Sequence, residues 1–283
     1  MVYRWNEEYS LSIGSVCSFL SPRYKGVMVK NIFSYLQKSL KKTKNQFFTE
    51  YTLFGFHFKK KNWSLHSGER QTAKEIQEIR KDHLNRYQFV IDYLTGKRLP
   101  TSNILDCFCG NGYGSWMLSR AFPSKRVLGI DGSGEAIVHA QKFFATPSTT
   151  FEHRLFPFKL KSSFDVIVSL ESIEHIENDS ALLKMFFDHL STNGLLFLSM
   201  PNQDKYPLEK TGNHFHYRHY TLDEAISLFN KIGFKILEHH SQDVYILSDD
   251  MVPIGLIEEE KMHLQKDFSG QFDIFILKKI STI

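Results

Sequence analysis

The sequence predicts an α/β fold in which a mostly parallel sheet is covered by helices on both faces, and three observations carry that prediction. From Asn103 onward, short apolar runs of strand length alternate with segments whose apolar residues recur at helical spacing. Phe164-Asp-Val-Ile-Val-Ser-Leu170 is apolar almost without interruption, the pattern of a strand buried on both faces. Ile104-Leu-Asp-Cys-Phe-Cys-Gly-Asn-Gly-Tyr-Gly-Ser115 runs from a short apolar strand through alternating glycines at 110, 112 and 114 into a new helical run. At 283 residues and 42% hydrophobic content, the chain can build one large domain with an extension, which we place at residues 1–62 ahead of a domain at 63–283.

The elements follow in order. After a polar turn at Trp63 to Arg70, a helix is expected from about Thr72 to Leu94, with Ile76, Ile79, His83, Arg86 and Tyr87 close to one stripe. Ile104 to Asp106 is the first strand of the sheet, and Ser115 to Phe122 is the helix after the glycines. Val127 to Asp131 and Glu135 to Phe144 repeat the pair, and a short strand lies near Thr150 to Leu155. Beyond the apolar strand at Phe164, Ala181 to Leu190 has helical spacing and runs toward Asn193-Gly194, a pair that stops helices by tolerating a left-handed backbone. Leu195 to Met200 is the fifth strand. Thr221 is an N-cap for a helix from Leu222 to Ile232, whose first turn places Asp223 and Glu224 at the positive end of the helix dipole. Phe234 to His239 and Gln271 to Lys278 are the last two strands.

The extension differs in composition, mixing aromatics with lysines and carrying few acids. Val29, Ile32, Phe33, Leu36 and Leu40 follow helical spacing with Lys30, Lys38, Lys41 and Lys42 near the other face, so this part is expected to be mainly helical. Residues 27–42 offer a peripheral contact with anionic membrane or an acidic partner; the plainer alternative is a helix that packs its stripe and leaves its lysines in water.

The glycine turn carries chemistry. Glycine lets the main chain take positive φ and approach a ligand, and the new helix points unpaired N–H groups at it. An acid, Asp131, ends the next apolar segment, where such folds grip ribose hydroxyls. Dinucleotide enzymes use a glycine turn to seat a pyrophosphate, but Asp106 just before this one would repel a pyrophosphate and could accept from an amino group instead. Here the segment resembles the class I S-adenosylmethionine-dependent methyltransferases, with the family's first glycine replaced by Phe108. The resemblance continues through Gly129-Ile-Asp-Gly-Ser133, Phe164-Asp-Val-Ile-Val-Ser-Leu-Glu-Ser-Ile-Glu-His175 and Asn193-Gly-Leu-Leu-Phe-Leu-Ser-Met-Pro-Asn202, over roughly residues 63 to 280. Gly68-Glu-Arg70 and His83-x-x-Arg86-Tyr87 are similar to segments of the members that act on small molecules in surface-polysaccharide pathways.

That resemblance implies a Rossmann-like sheet of seven strands, the last inserted antiparallel, and S-adenosyl-L-methionine as cofactor. Arg86 would reach the methionine carboxylate, for which a guanidinium fork is the natural partner; the alternative is a surface ion pair with Asp82 one turn away. Asp106 would lie near the cofactor's amino group, Phe108, Gly110 and Gly112 would shape the loop beneath it, and Asp131 with Gly132 would hold the ribose. His153, Arg154 and Leu155 are candidates for the adenine contact, and Ser169 and Leu170 complete the cofactor wall. For a hydroxyl acceptor a base is needed, and His175 is the natural candidate, with Glu171 and Glu174 beside it; packing under the cofactor is its alternative role. Asn202, His214, His216, Tyr217 and His219 would line the acceptor pocket, and no metal is expected, because His-x-His-x-x-His in a loop does not guarantee convergence.

Composition and motif bound the acceptor. A net charge of +4 neither demands nor forbids nucleic acid. The Asn/Asp-Pro-Pro-aromatic tetrad of base and amide methylases is replaced by Ser169-Leu-Glu-Ser172, which makes nucleic acid an unlikely partner and a sugar-like small molecule the expected one. Two alternatives stay open: a cofactor-binding partner protein without catalysis, and an RNA-modifying enzyme using the lysine-rich extension. Three cysteines make no disulfide framework, and the absence of both an apolar run of about 18 residues and a signal-peptide core leads us to expect a cytoplasmic enzyme.

Overall fold

The computed structural model describes residues 71–279 apart from 100 and 124, together with the backbone of residues 41–44, 48–53 and 56–61. Two compact units result, residues 1–61 and 62–283. In the first, strands β1 (Lys41–Lys44), β2 (Phe48–Leu53) and β3 (Phe56–Lys61) form an antiparallel sheet in that order. The mainly helical expectation therefore fails at these three strands, where Phe, Tyr and Thr favour the pleated backbone. The helical stripe up to Leu40 and the polar turn at 63–70 lie outside the described residues, whereas Lys41 and Lys42 belong to β1.

In the second unit, Glu75 and Glu78 close a capping box around a single 3₁₀ turn, Ile79 turns extended and buries its side chain, and only then does α1 (Lys81–Lys97) begin. The helix expected from Thr72 to Leu94 thus begins only at Lys81 and runs on to Lys97. The alternation continues with β4 (Asn103–Cys107), α2 (Tyr113–Ala121), β5 (Arg126–Asp131), α3 (Gly134–Phe143), β6 (Thr149–His153), β7 (Phe164–Ser169), α4 (Asp179–His189) and β8 (Leu190–Pro201). A short helix α5 (Leu208–Thr211) precedes α6 (Leu222–Ile232), which carries the expected cap: Thr221 Oγ1 accepts from the Glu224 N–H while the Glu224 carboxylate accepts from the Thr221 N–H. Strands β9 (Phe234–Gln242), β10 (Tyr245–Leu247), β11 (Pro253–Leu256), β12 (Gln265–Lys266) and β13 (Phe272–Lys279) complete the chain. Asn193-Gly194 lies inside β8 rather than ending α4, because the chain enters the sheet at Leu190 and a Cβ at Gly194 would sit 2.6 Å from the Leu190 side chain.

The main sheet has eight strands, ordered β12-β9-β13-β8-β7-β4-β5-β6, one more than expected; the addition is the two-residue β12 on the edge of β9. Strands β4 to β8 are mutually parallel, and β13 inserts antiparallel between β8 and β9. Period-2 geometry explains the apolar runs. Leu105, Ile167, Leu196 and Leu198 face a core with α4 and α6, while their neighbours Ile104, Val166, Leu195 and Phe197 face a core with α1, α2 and α3. The chain leaves β4 toward β5 on one side and reaches β7 on the other, so the strand order switches between β4 and β7 and opens a crevice at their carboxyl ends. Among the described residues, no helix is long and apolar enough to cross a membrane.

Candidate active site

A cavity of about 630 Å³ opens at that switch point. One wall is the β4–α2 loop. Phe108 stands there at φ +65°, the left-handed conformation that favours glycine, and Gly110 follows at φ +56°. Asp131, at the end of β5, accepts from the Gly110 N–H at 2.9 Å and from the Ser133 N–H at 2.8 Å, tying the two loops together beside the cavity.

Arg86 projects from α1 into the same space and is almost fully buried, its guanidinium lying 4.9 Å from the Phe272 ring. The Arg86 Nε has no hydrogen-bond acceptor among the described residues, and neither has the buried Asn111 Oδ1 a donor. A buried guanidinium N–H and a buried amide oxygen left unmatched are costly unless a ligand satisfies them. An α-amino acid end supplies both partners, a carboxylate for Arg86 and an ammonium for Asn111. The ion pair with Asp82 does exist, at 3.5 Å, but it is buried in the cavity wall rather than on the surface. Two hydrogen bonds from Arg80, at 2.5 and 2.8 Å, and the charges around it hold the Asp82 carboxyl well below the usual range against the opposing effect of burial.

The opposite wall is the loop after β7. Glu171 occupies a left-handed backbone at φ +49°, accepts from Ser199 Oγ at 2.7 Å, and lies 3.9 Å from Arg86 Nε. Burial pushes its carboxyl up, against the pull of Arg86. Strain held at a cavity-lining acid is a mark of functional sites. Glu174 and His175 follow on a 3₁₀ turn, and His216 approaches from the loop before α6, its ring centroid 4.6 Å from that of His175. A carboxylate oxygen of Glu174 and a ring nitrogen from each histidine lie within 4.8 Å of one another.

Hydrogen bonds settle the tautomers. The Tyr206 carbonyl can only accept, so His219 Nδ1–H donates to it at 2.6 Å and His219 Nε2 is the acceptor. His216 Nδ1–H therefore donates to His219 at 2.7 Å, and His216 Nε2 accepts from Asn213 Nδ2 at 2.9 Å. Burial pushes the His219 imidazole down to about 4, with His216 adding to the shift. A folded pKa below the unfolded value near 6.5 contributes stability that is present above pH 6.5 and lost as pH falls through 4, on the order of 3 kcal/mol in all. His219→Asn is expected to flatten the pH dependence in that window by about one proton, about 1.4 kcal/mol per pH unit. Urea unfolding across pH 4 to 7 measures it, and an unchanged slope would mean that the ring is protonated in the fold.

The structure brings Arg86, Phe108, Gly110, Asp131, Gly132, Leu155, Leu170, Glu171, Glu174, His175, His216 and Tyr217 to the cavity. It places the remaining expected residues elsewhere. Asp106 is buried behind the loop, where its carboxylate accepts from Tyr87 Oη at 2.9 Å and Ser115 Oγ at 2.6 Å and thereby pins α1 to α2. Burial lifts it to about 6 despite those two donors. Gly112 caps α2 against the Phe151 ring. His153 bonds to the Gly132 carbonyl, and Arg154 pairs with Glu152 and the Lys159 carbonyl. Ser169 is buried against Ser172. Asn202 braces Asp273 on β13 at 2.9 Å, and His214 and His219 stay off the wall. Sequence reasoning missed Asp82 and Asn111 as cavity residues, together with Tyr206, Tyr245 and Phe272, which gather around β13 and the β10–β11 hairpin. For Asp82 a signal was available, since Arg80, Asp82 and Arg86 alternate charge on one helix start.

Known proteins share the domain and the fold. A family model described as "Methyltransferase domain" matches residues 76–239, more than half of the chain. A Mycobacterium tuberculosis protein named a probable S-adenosylmethionine-dependent methyltransferase is 29% identical over 171 residues, 59% of this chain and 60% of its own. Malonyl-[acyl-carrier protein] O-methyltransferase of Bacillus cereus is 32% identical over 97 residues, 34% of this chain and 36% of its own. Trans-aconitate 2-methyltransferase of Deinococcus radiodurans is 27% identical over 130 residues, 46% of each chain. The chain thus spans between 36% and 60% of the length of these curated relatives. The crystal structure of magnesium protoporphyrin IX methyltransferase from Synechocystis with bound S-adenosylhomocysteine superposes at a TM-score of 0.52 and 18% identity, covering 75% of this chain and 90% of that one, which establishes the shared fold. With a glycine loop at the switch point, an acid at the end of the next strand and a family model covering both, this chain belongs to the methyltransferase-domain family of class I S-adenosylmethionine-dependent methyltransferases.

Proposed function

We propose that this protein transfers a methyl group from S-adenosylmethionine to a hydroxyl of a small molecule, a sugar or sugar nucleotide of surface-polysaccharide synthesis in the cytoplasm. One observation carries the reading: a single cavity joins fittings for an amino acid and a ribose, at Arg86, Asn111 and Asp131, to a half-buried acid of raised pKa, Glu171. When bound, the cofactor supplies a methyl group on a sulfonium, and alignment carries much of the rate. Arg86 fixes the carboxylate, Asp131 fixes the ribose, and Leu155 with the following Phe156-Pro157 gives an apolar wall for the base. A hydroxyl must lose its proton as it attacks, and Glu171 accepts it, since burial brings its pKa toward the working pH. A relative named for trans-aconitate supports a small acceptor.

Incubation with methyl-labelled S-adenosylmethionine and a panel of sugar nucleotides and small carboxylic acids tests this. Label is expected in a sugar nucleotide. Glu171→Gln should lower kcat by about 10² to 10⁴-fold with S-adenosylhomocysteine affinity unchanged. Tight cofactor binding with no label in any small acceptor would sink the reading and favour a binding partner without catalysis.

A further inference from the structure

We propose that Glu174, His175 and His216 form a site for one divalent transition-metal ion at the acceptor end of the cavity. The three come from two loops separated by about 40 residues, and their ligand atoms already lie within 4.8 Å of one another. Both histidines are set up as ligands. His175 Nδ1–H donates to the Phe215 carbonyl at 3.3 Å, which leaves the lone pair on Nε2, 4.0 Å from the Glu174 carboxylate. His216 is fixed in the same tautomer by the chain through His219 to the Tyr206 carbonyl. Metal-binding histidines almost always have the far ring nitrogen held by such an outer partner, which fixes the tautomer and turns the near one toward the ion. The acceptor contact at His216 Nε2 is the side-chain amide of Asn213, a neutral group that an ion can displace.

Chemistry narrows the ion. Two imidazoles and one carboxylate suit zinc, manganese, iron or cobalt, whereas magnesium and calcium prefer all-oxygen sets. Three protein ligands leave further positions open, as in catalytic rather than structural sites, and His175 and His216 both line the cavity through which an ion would enter. Neither His214 nor His219 joins the set, so the convergence is not that of the His-x-His-x-x-His loop alone. What the ion does there rests on the methyl-transfer reading: an open position would hold the acceptor's hydroxyl oxygen as Glu171 takes its proton.

Cobalt(II) is the probe, titrated into the full metal-stripped chain. The expected result is one equivalent bound with visible ligand-field absorption. Glu174→Gln and His216→Ala should each weaken binding by more than the roughly 10- to 100-fold that losing an outer partner costs, and His219→Ala by an amount within that range. S-adenosylhomocysteine affinity, measured on the same samples, should match wild type and show the fold intact. Wild-type protein without a cobalt spectrum at millimolar cobalt would overturn the site, as would unchanged affinity in the Glu174 and His216 variants. Because the wild-type spectrum alone decides the matter, a variant that fails to fold does not shield the proposal. Cobalt bound without any methyl transfer would support the site while removing only the proposed reaction, and full turnover after chelation would overturn the ion's role at the acceptor hydroxyl while keeping that reaction.

Discussion

Asp131→Ala is expected to lose S-adenosylmethionine and S-adenosylhomocysteine binding by about 100-fold or more, because in the proposed ribose site two hydrogen bonds from ribose hydroxyls to a charged acceptor would contribute about 1.5–3 kcal/mol each. The loss has a second source. Asp131 also holds the Gly110 and Ser133 N–H groups at 2.9 and 2.8 Å, so its removal frees the loop that the cofactor must meet already folded. Asp131→Asn keeps one acceptor oxygen and is expected to fall between wild type and alanine. Calorimetric titration of the three proteins measures this. Equal affinities would remove Asp131 from the ribose site and move the nucleoside elsewhere in the cavity.

The second large effect concerns stability. In Gly114→Ala the new Cβ would stand 1.9 Å from Tyr87 Cζ, an impossible contact, and Tyr87 is itself buried between α1 and α2. Either the ring shifts or the helices part. Overpacking of a well-filled core costs about 1–3 kcal/mol, and losing the Tyr87 hydroxyl from the buried Asp106 carboxylate adds about 1–3 kcal/mol. At about 2–4 °C per kcal/mol for a unit of this size, Tm should drop by roughly 10 °C. Gly110→Ala is the control. Its Cβ meets nothing within 4 Å, so only the left-handed backbone at φ +56° is penalised, by about 1 kcal/mol. If the two variants melt together, the Tyr87–Asp106 contact does not hold α1 against α2.

The difference between these glycines shows where sequence reading stops. Gly110, Gly112 and Gly114 look equivalent in the motif, yet in the fold one sits in open space, one presses on Ala140 and Phe151, and one on Tyr87. Asp106 illustrates the same limit. Its place before the glycines suggested a ligand contact, but Tyr87 and Ser115, 19 residues before and 9 after it, draw it into the interior. Arg86 and Asp131 were legible because each stands at a fixed offset from a recognisable turn or strand end. The third-strand candidates His153 and Arg154 were not separable from Leu155 by sequence, since a loop's exit direction decides which of three neighbours faces inward; here it is Leu155.

By itself the sequence determined the succession of strands and helices, the parallel sheet and the glycine loop with its two acids. These depend on periodicity and turn chemistry, which act over a few residues and are written locally. Tertiary structure decided the membership of the cavity. It put Asp82 inside rather than on the surface, joined Tyr87 to Asp106, added β12 to the sheet edge, and brought His216 against Glu174 and His175 across about 40 residues of chain. Packing of whole helices on the sheet sets those meetings, and no local pattern encodes the angle at which two loops finally approach.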